Sequence, residues 1–174
     1  IHDVALQNLD VTFAIDRAGL VGEDGPTHSG NYDLVYLRCI PNMIVMTPSD
    51  ENETRKLLTT GFLHNGPASI RYPRGSGPNV IVENDLSPVE IGKGRLIEEG
   101  SKDLIVINFG ALLDQAREVA STLGLTLIDM RFVKPLDEDI LRKYLSEAQA
   151  FVSIEDGSVA GGAGSAVQEF CSDN

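Results

Sequence analysis

The sequence predicts an α/β protein built of two open, mostly parallel sheets flanked by helices. Short runs of β-branched and aliphatic residues alternate with stretches whose apolar residues recur at helical spacing, as strand–helix repeats require. In the second half, residues 104–109 and 125–130 are apolar on both faces, like parallel strands covered by two layers of helix. Between residues 76 and 90 this pattern stops in favour of Gly, Pro, Asn and Ser, which divides the chain into units 1–75 and 91–174 joined by a linker.

Taken in order, residues 11–15 (VTFAI) read as a buried strand. Residues 16–33 carry Gly19, Gly22, Gly25, Pro26 and Gly30 and read as an ordered, irregular loop of a length that is often functional. A strand at 43–46 leads into a helix that starts around Asp50 and Glu51, where first-turn acids suit the helix dipole. That helix is expected to bury Leu57, Leu58, Gly61 and Phe62. A short strand at 68–71 runs into Tyr72-Pro73-Arg74-Gly75. Beyond the linker, the strand at 104–109 is followed by a helix marked by Leu112, Ala116, Val119, Ala120 and Leu123. The strand at 125–130 is followed by a helix marked by Ile140, Leu141, Tyr144, Leu145 and Ala148. A strand at 151–154 and the glycines Gly161, Gly162 and Gly164 then open a last helix, the glycines serving close helix packing.

Charge narrows the function. With 26 acidic against 14 basic residues, the net charge is -12, and the long-range field repels polyanions. A general nucleic-acid surface is not expected, although a local pair of arginines can still hold one small phosphate. Two cysteines make neither a disulfide framework nor a zinc ligand set and read as reduced thiols. No apolar run approaches the ~18 residues of a membrane span, so a soluble protein is expected. The chain opens at Ile1 and closes in an apolar helix face at Phe170, and reads as an interior piece of something longer.

Two constellations could carry chemistry. The loop over 16–30 concentrates ionisable groups where a strand ends, the place at which open α/β sheets bind ligands. His28 lies among glycines that permit close approach, and its imidazole suits proton transfer near neutral pH. Asp24 precedes it by four residues, but Gly25-Pro26 rules out an ordinary helix carrying both, so a turn must bring them together. The imidazole is expected to be partly exposed, towards a cleft. The same residues also fit a surface loop in which His28 and Asp24 only bond the backbone. Arg17 and Arg74 form the second constellation: each follows a strand and has a glycine within two residues. Converging guanidiniums would make a fork for phosphate or carboxylate; the other reading pairs each with a nearby acid. His2 and His64 have no partner pattern, and no metal-ligand spacing, phosphate-loop motif or G-x-S-x-G elbow is present.

Longer motifs then point to a family. His2-Asp3-Val4-Ala5-Leu6-Gln7, the run from Phe13 to Gly30, Tyr36 to Met43, Met46 to Glu53 and Ile70 to Gly75 resemble the pyrimidine-binding domain of the 1-deoxy-D-xylulose-5-phosphate synthase family. Ile91-Gly92-Lys93-Gly94, Asp129 to Asp137 and Gly161 to Val167 resemble its transketolase-type C-terminal domain. The resemblance implies a thiamine-diphosphate transferase that condenses pyruvate with D-glyceraldehyde 3-phosphate. It implies that Arg17 and Arg74 bind the acceptor's phosphate and that Asp24 and His28 are a catalytic pair contacting substrate. Thiamine diphosphate and Mg2+ would be held mainly by parts of the enzyme outside this chain. The implied partners are the remainder of the same enzyme, in a homodimer, and small-molecule substrates, with no nucleic acid and no membrane. The implied setting is the bacterial cytoplasm or the plastid stroma. A catalytically inactive assembly module, or the β-type half of a two-chain thiamine-diphosphate dehydrogenase, are the alternatives.

Overall fold

The computed structural model describes the backbone of residues 1–174 and every side chain except that of Leu145. In chain order the elements of the first half are α1 (His2–Leu6), β1 (Thr12–Ile15), α2 (Asp33–Cys39), β2 (Ile44–Met46), α3 (Glu51–Leu63) and β3 (Ala68–Arg71). They are followed by β4 (Arg95–Glu98), β5 (Ser101–Phe109), α4 (Leu113–Leu123), β6 (Leu125–Asp129), β7 (Phe132–Lys134), α5 (Glu138–Leu145), β8 (Ala150–Glu155) and α6 (Ala163–Asp173).

Two four-stranded sheets result. The first has the order β1-β3-β2-β7, with β1 and β2 parallel to β3 and β7 antiparallel to β2. The second has the order β4-β6-β5-β8, with β5 parallel to β6 and β8 and β4 antiparallel at the edge. The two-sided apolar strands are parallel as expected, Val106 beside Leu127 and Ile107 beside Ile128. No helix of the structure is long and apolar enough to cross a membrane.

The helix boundaries follow from their capping chemistry. The Asp50 carboxylate accepts the Glu53 N–H at 2.8 Å and starts α3, and Asp137 does the same for α5 through the Ile140 N–H at 3.2 Å. At the far end of α4, Gly124 adopts the left-handed conformation that lets the chain turn directly into β6.

β7 leaves the second half of the chain to join the first sheet, and the largest core cluster spans both. Leu34, Leu37 and Val45 pack in it with Ile107, Phe109, Ile128, Met130 and Val133. Residues 76–90 contain no helix or strand, yet they run along α3 as a strap: the Asn52 side chain donates to Ile81 O at 2.9 Å and accepts the Glu83 N–H at 3.0 Å, and Thr60 Oγ1 accepts the Val89 N–H at 2.7 Å.

Some expectations change. The strand at 11–15 is not buried; β1 is a half-buried edge strand with Ala14 exposed, because only β3 pairs with it. The buried stripe of α3 is Glu53, Leu57, Thr60 and Gly61, at spacings of four, three and one, so Leu58 and Phe62 fall outside it and Phe62 is 82% exposed. On α4, Val119 and Leu123 are likewise exposed, while Leu113, Ala116 and Ala120 face the sheet. The elements α1, α2, β4 and β7, of five, seven, four and three residues, have no counterpart in the apolar pattern.

Candidate active site

β1 and β3 lie side by side and parallel, so their carboxyl ends deliver Arg17 and Arg74 to one edge of the first sheet. The Tyr72 N–H donates to Ile15 O and the Ala18 N–H to Tyr72 O, each at 3.0 Å. These two bonds straddle Arg17, which bulges between them in the left-handed region at φ +61°. A non-glycine residue held there marks backbone strain of the kind found at binding sites.

Past this bulge the loop closes on itself. The Gly19 N–H donates to Gly30 O at 3.1 Å and the Gly30 N–H to Gly19 O at 3.0 Å. A Cβ on Gly30 would lie 2.2 Å from Arg17 O, so only glycine fits this neck. Residues 20–29 form a compact loop carrying two short 3-10 turns, Gly22–Asp24 and Pro26–His28.

The first turn places Asp24 between the two arginines. Its Oδ2 accepts from Arg17 Nε at 3.0 Å and forms an ion pair with Arg74, whose Nε lies 2.8 Å away. Arg17 Nη1 also reaches Asp16 Oδ2, and Arg74 Nη2 reaches Glu23 Oε1 at 3.0 Å. The Asp24 side chain is 19% exposed, and the side chains of Arg17 and Arg74 are 38% and 42% exposed. Asp24, followed by Asp16, pushes the Arg17 pKa up and fixes its charge. Both arginines are thus paired to the same carboxylate, and among the described residues Arg17 Nη2 and Arg74 Nη1 make no hydrogen bond.

The structure therefore brings three of the four candidate residues together: Arg17, Arg74 and Asp24. His28 stays apart. Its ring is exposed on the second turn, and its described hydrogen-bonding contact is Nδ1 with Thr27 Oγ1 at 3.0 Å. A turn does place the two residues on one loop, but no described hydrogen bond joins Asp24 to His28. Beside Arg74, between residues 48–51 and 72–75, lies a cleft of about 120 Å³. That is well below the roughly 300 Å³ at which small-molecule sites begin. Among the described residues, no group of three or more His, Cys, Asp or Glu side chains is placed to hold a metal ion.

Buried ions around the site went unread in the sequence. Arg71, the last residue of β3, is buried and donates to Asp33 Oδ1 and Gly30 O at 2.8 and 2.7 Å, and to Asp156 O. Glu53 accepts a bidentate pair from Arg131 at 2.7 and 2.9 Å and a third bond from Arg95 at 3.0 Å. Arg95 also bonds buried Asp129 at 3.1 Å, which accepts from Ser49 at 3.0 Å. The available signal was an arginine ending an otherwise apolar strand: such a charge needs an internal acid or carbonyl. The glycine turn before α6 is occupied from within, since Glu155 accepts the N–H groups of Ala163 and Gly164 at 2.7 and 2.9 Å.

Residues 1–79 match the family model of the transketolase pyrimidine binding domain, and residues 92–174 that of the transketolase C-terminal domain. The chain belongs to the transketolase-like family and carries these two domains in series. Over 170 residues, 98% of its length, it is 60% identical to the 1-deoxy-D-xylulose-5-phosphate synthase of Pseudomonas fluorescens (strain Pf0-1). The enzyme of the same name from Pseudomonas syringae pv. tomato is 61% identical over the same span. The chain covers 27% of the length of these relatives. Among solved structures, a split gene transketolase described as an inactive beta4 tetramer matches with a TM-score of 0.87 at 32% identity, over 98% of this chain and 56% of that one.

Proposed function

We propose that this chain supplies the acceptor-binding side of a thiamine-diphosphate-dependent transferase that condenses pyruvate with D-glyceraldehyde 3-phosphate, giving 1-deoxy-D-xylulose 5-phosphate and CO2. The observation that carries this reading is the meeting of Arg17 and Arg74 at the Asp24 carboxylate. Two guanidiniums paired to one carboxylate, each with N–H groups to spare, suit the oxygens of one phosphate. In this reading Asp24 aligns the forks and, with His28, contacts the substrates. His28 is the group that hydrogen-bonds or moves a proton to carbonyl and carboxylate oxygens. Exposed Glu23 and Asp16 neutralise the arginines in the resting site, and the phosphate takes their place.

The described residues offer no cluster of three or more metal-ligating side chains. We assign thiamine diphosphate and Mg2+ to the remainder of the enzyme, which would also enclose the acceptor that the 120 Å³ cleft is too small to hold. The units 1–75 and 91–174, joined by 76–90, would work with that remainder in a homodimer, in the bacterial cytoplasm or plastid stroma. Kinetics test the acceptor reading. In a complete synthase carrying this segment, Arg74→Ala raises the KM for glyceraldehyde 3-phosphate roughly tenfold to a hundredfold and leaves that for pyruvate unchanged. An unchanged acceptor KM in a folded variant contradicts the acceptor reading.

A further inference from the structure

The loop that carries Arg17 and Asp24 is gripped by the other half of the chain. Between β8 and α6 the chain turns through Asp156 and Gly157, and this turn reaches the neck of the loop. The Asp156 carboxyl lies against Gly19: a Cβ built on Gly19 would fall 1.9 Å from Asp156 Cγ and from both of its oxygens. Burial is the largest influence on the Asp156 carboxyl and raises its pKa, opposed by the Arg71 guanidinium. Beneath them, the buried Arg71 guanidinium reaches three elements at once: Asp33 at the start of α2, Gly30 O in the neck, and Asp156 O in the turn. Gly30 O is also the acceptor for the Gly19 N–H, so Arg71 braces the very carbonyl that closes the loop.

The turn itself is rigidly mounted. Glu155, one residue before Asp156, caps α6 through two backbone N–H groups at 2.7 and 2.9 Å. Arg38 of α2 donates to Gly161 O and Gly162 O at 2.8 and 3.0 Å, and the Gly161 N–H donates to Ser165 Oγ at 2.9 Å. A charged group on so fixed a base sets the place of whatever it touches.

We infer that Asp156 and Arg71 are positioning residues, a latch by which the C-terminal half holds the Gly19–Gly30 loop shut and keeps Arg17 and Asp24 in register with Arg74. Neither touches the acceptor; they set the arrangement that receives it. The inference rests on the acceptor-site reading above for its purpose, though not for its geometry. Without the latch the neck retains only its two glycine–glycine bonds, and the loop opens independently of the sheet.

Hydrogen exchange in a complete synthase carrying this segment tests this, with inorganic phosphate as the binding probe. Arg71→Met strands buried Asp33 and threatens the whole fold, so the informative pair is Asp156→Ala and Asp156→Asn. In Asp156→Ala, exchange at the Gly19, Leu20 and Gly30 amides rises at least tenfold, while that of Ile70 in β3 does not change. Phosphate affinity falls with it. In Asp156→Asn, whose side chain keeps the contact with Gly19, both return close to wild type. Unchanged exchange in Asp156→Ala, or a rise that spreads equally to Ile70, overturns the latch. Loop-specific exchange as described, with no phosphate binding by any variant or by wild type, supports the latch and overturns the acceptor reading instead.

Discussion

At the scale of single residues, strain and charge are concentrated where the chain is proposed to bind its acceptor. Arg17 holds a left-handed backbone at φ +61° because Tyr72 bonds Ile15 before it and Ala18 after it, so its place is imposed by the sheet. Arg17→Gly and Arg17→Ala both remove the guanidinium, but only the glycine relaxes the backbone. The glycine variant should melt roughly 2–4 °C above the alanine variant. Equal melting temperatures would show that the bulge is unstrained. Arg17 and Arg74 were legible in the sequence as a pair, since each follows a strand and precedes a glycine. That Asp24 would bridge them was not, because the bridge depends on how a fifteen-residue loop folds back, and local propensity is silent on that. Arg71 was missed for the same reason: its partners Asp33, Gly30 and Asp156 lie between 38 and 85 residues away.

Among the elements, β1, β2, β3, β5, β6 and β8 and the helices α3, α4, α5 and α6 had counterparts in the apolar pattern. The illegible ones were α1, α2, β4 and β7, whose few residues leave no period to read. β4 and β7 also exist for tertiary reasons, each adding an antiparallel edge to a sheet formed elsewhere. Between α3, β4 and β6 lies the buried cluster of Glu53, Arg95 and Asp129, with Ser49 and Arg131 around it. Burial is the largest influence on Asp129 and raises its pKa; Arg95, shared with Glu53, opposes this incompletely. A carboxyl whose pKa is higher in the folded than in the unfolded chain binds the extra proton in the fold. Its stabilising contribution is complete below the ordinary carboxylate range, near pH 4, and is lost as pH rises through the raised value. Asp129→Asn cannot ionise. The gap in melting temperature between wild type and Asp129→Asn should therefore be widest near pH 4 and narrow towards neutrality. A gap that widens with pH would mean that Arg95 dominates.

For the whole molecule, the two halves are not beads on a string. One strand crosses from the second half into the first sheet, one core cluster includes residues of both, and one turn of the second half grips the loop of the first. The sequence suggested two units with a linker between them, because composition changes there; it did not show the shared core, because burial between units leaves no period of its own. The central claim is that Arg17 and Arg74, one from each of two adjacent strand ends, act on a single phosphate. A double-mutant cycle on the acceptor KM, with the pyruvate KM as internal control, tests it most directly in a complete synthase carrying this segment. If both arginines serve one phosphate, Arg17→Ala and Arg74→Ala each raise the acceptor KM, and the double variant falls short of the product of the single effects by severalfold or more. Multiplicative effects, or a change in the pyruvate KM in place of the acceptor's, would contradict the account.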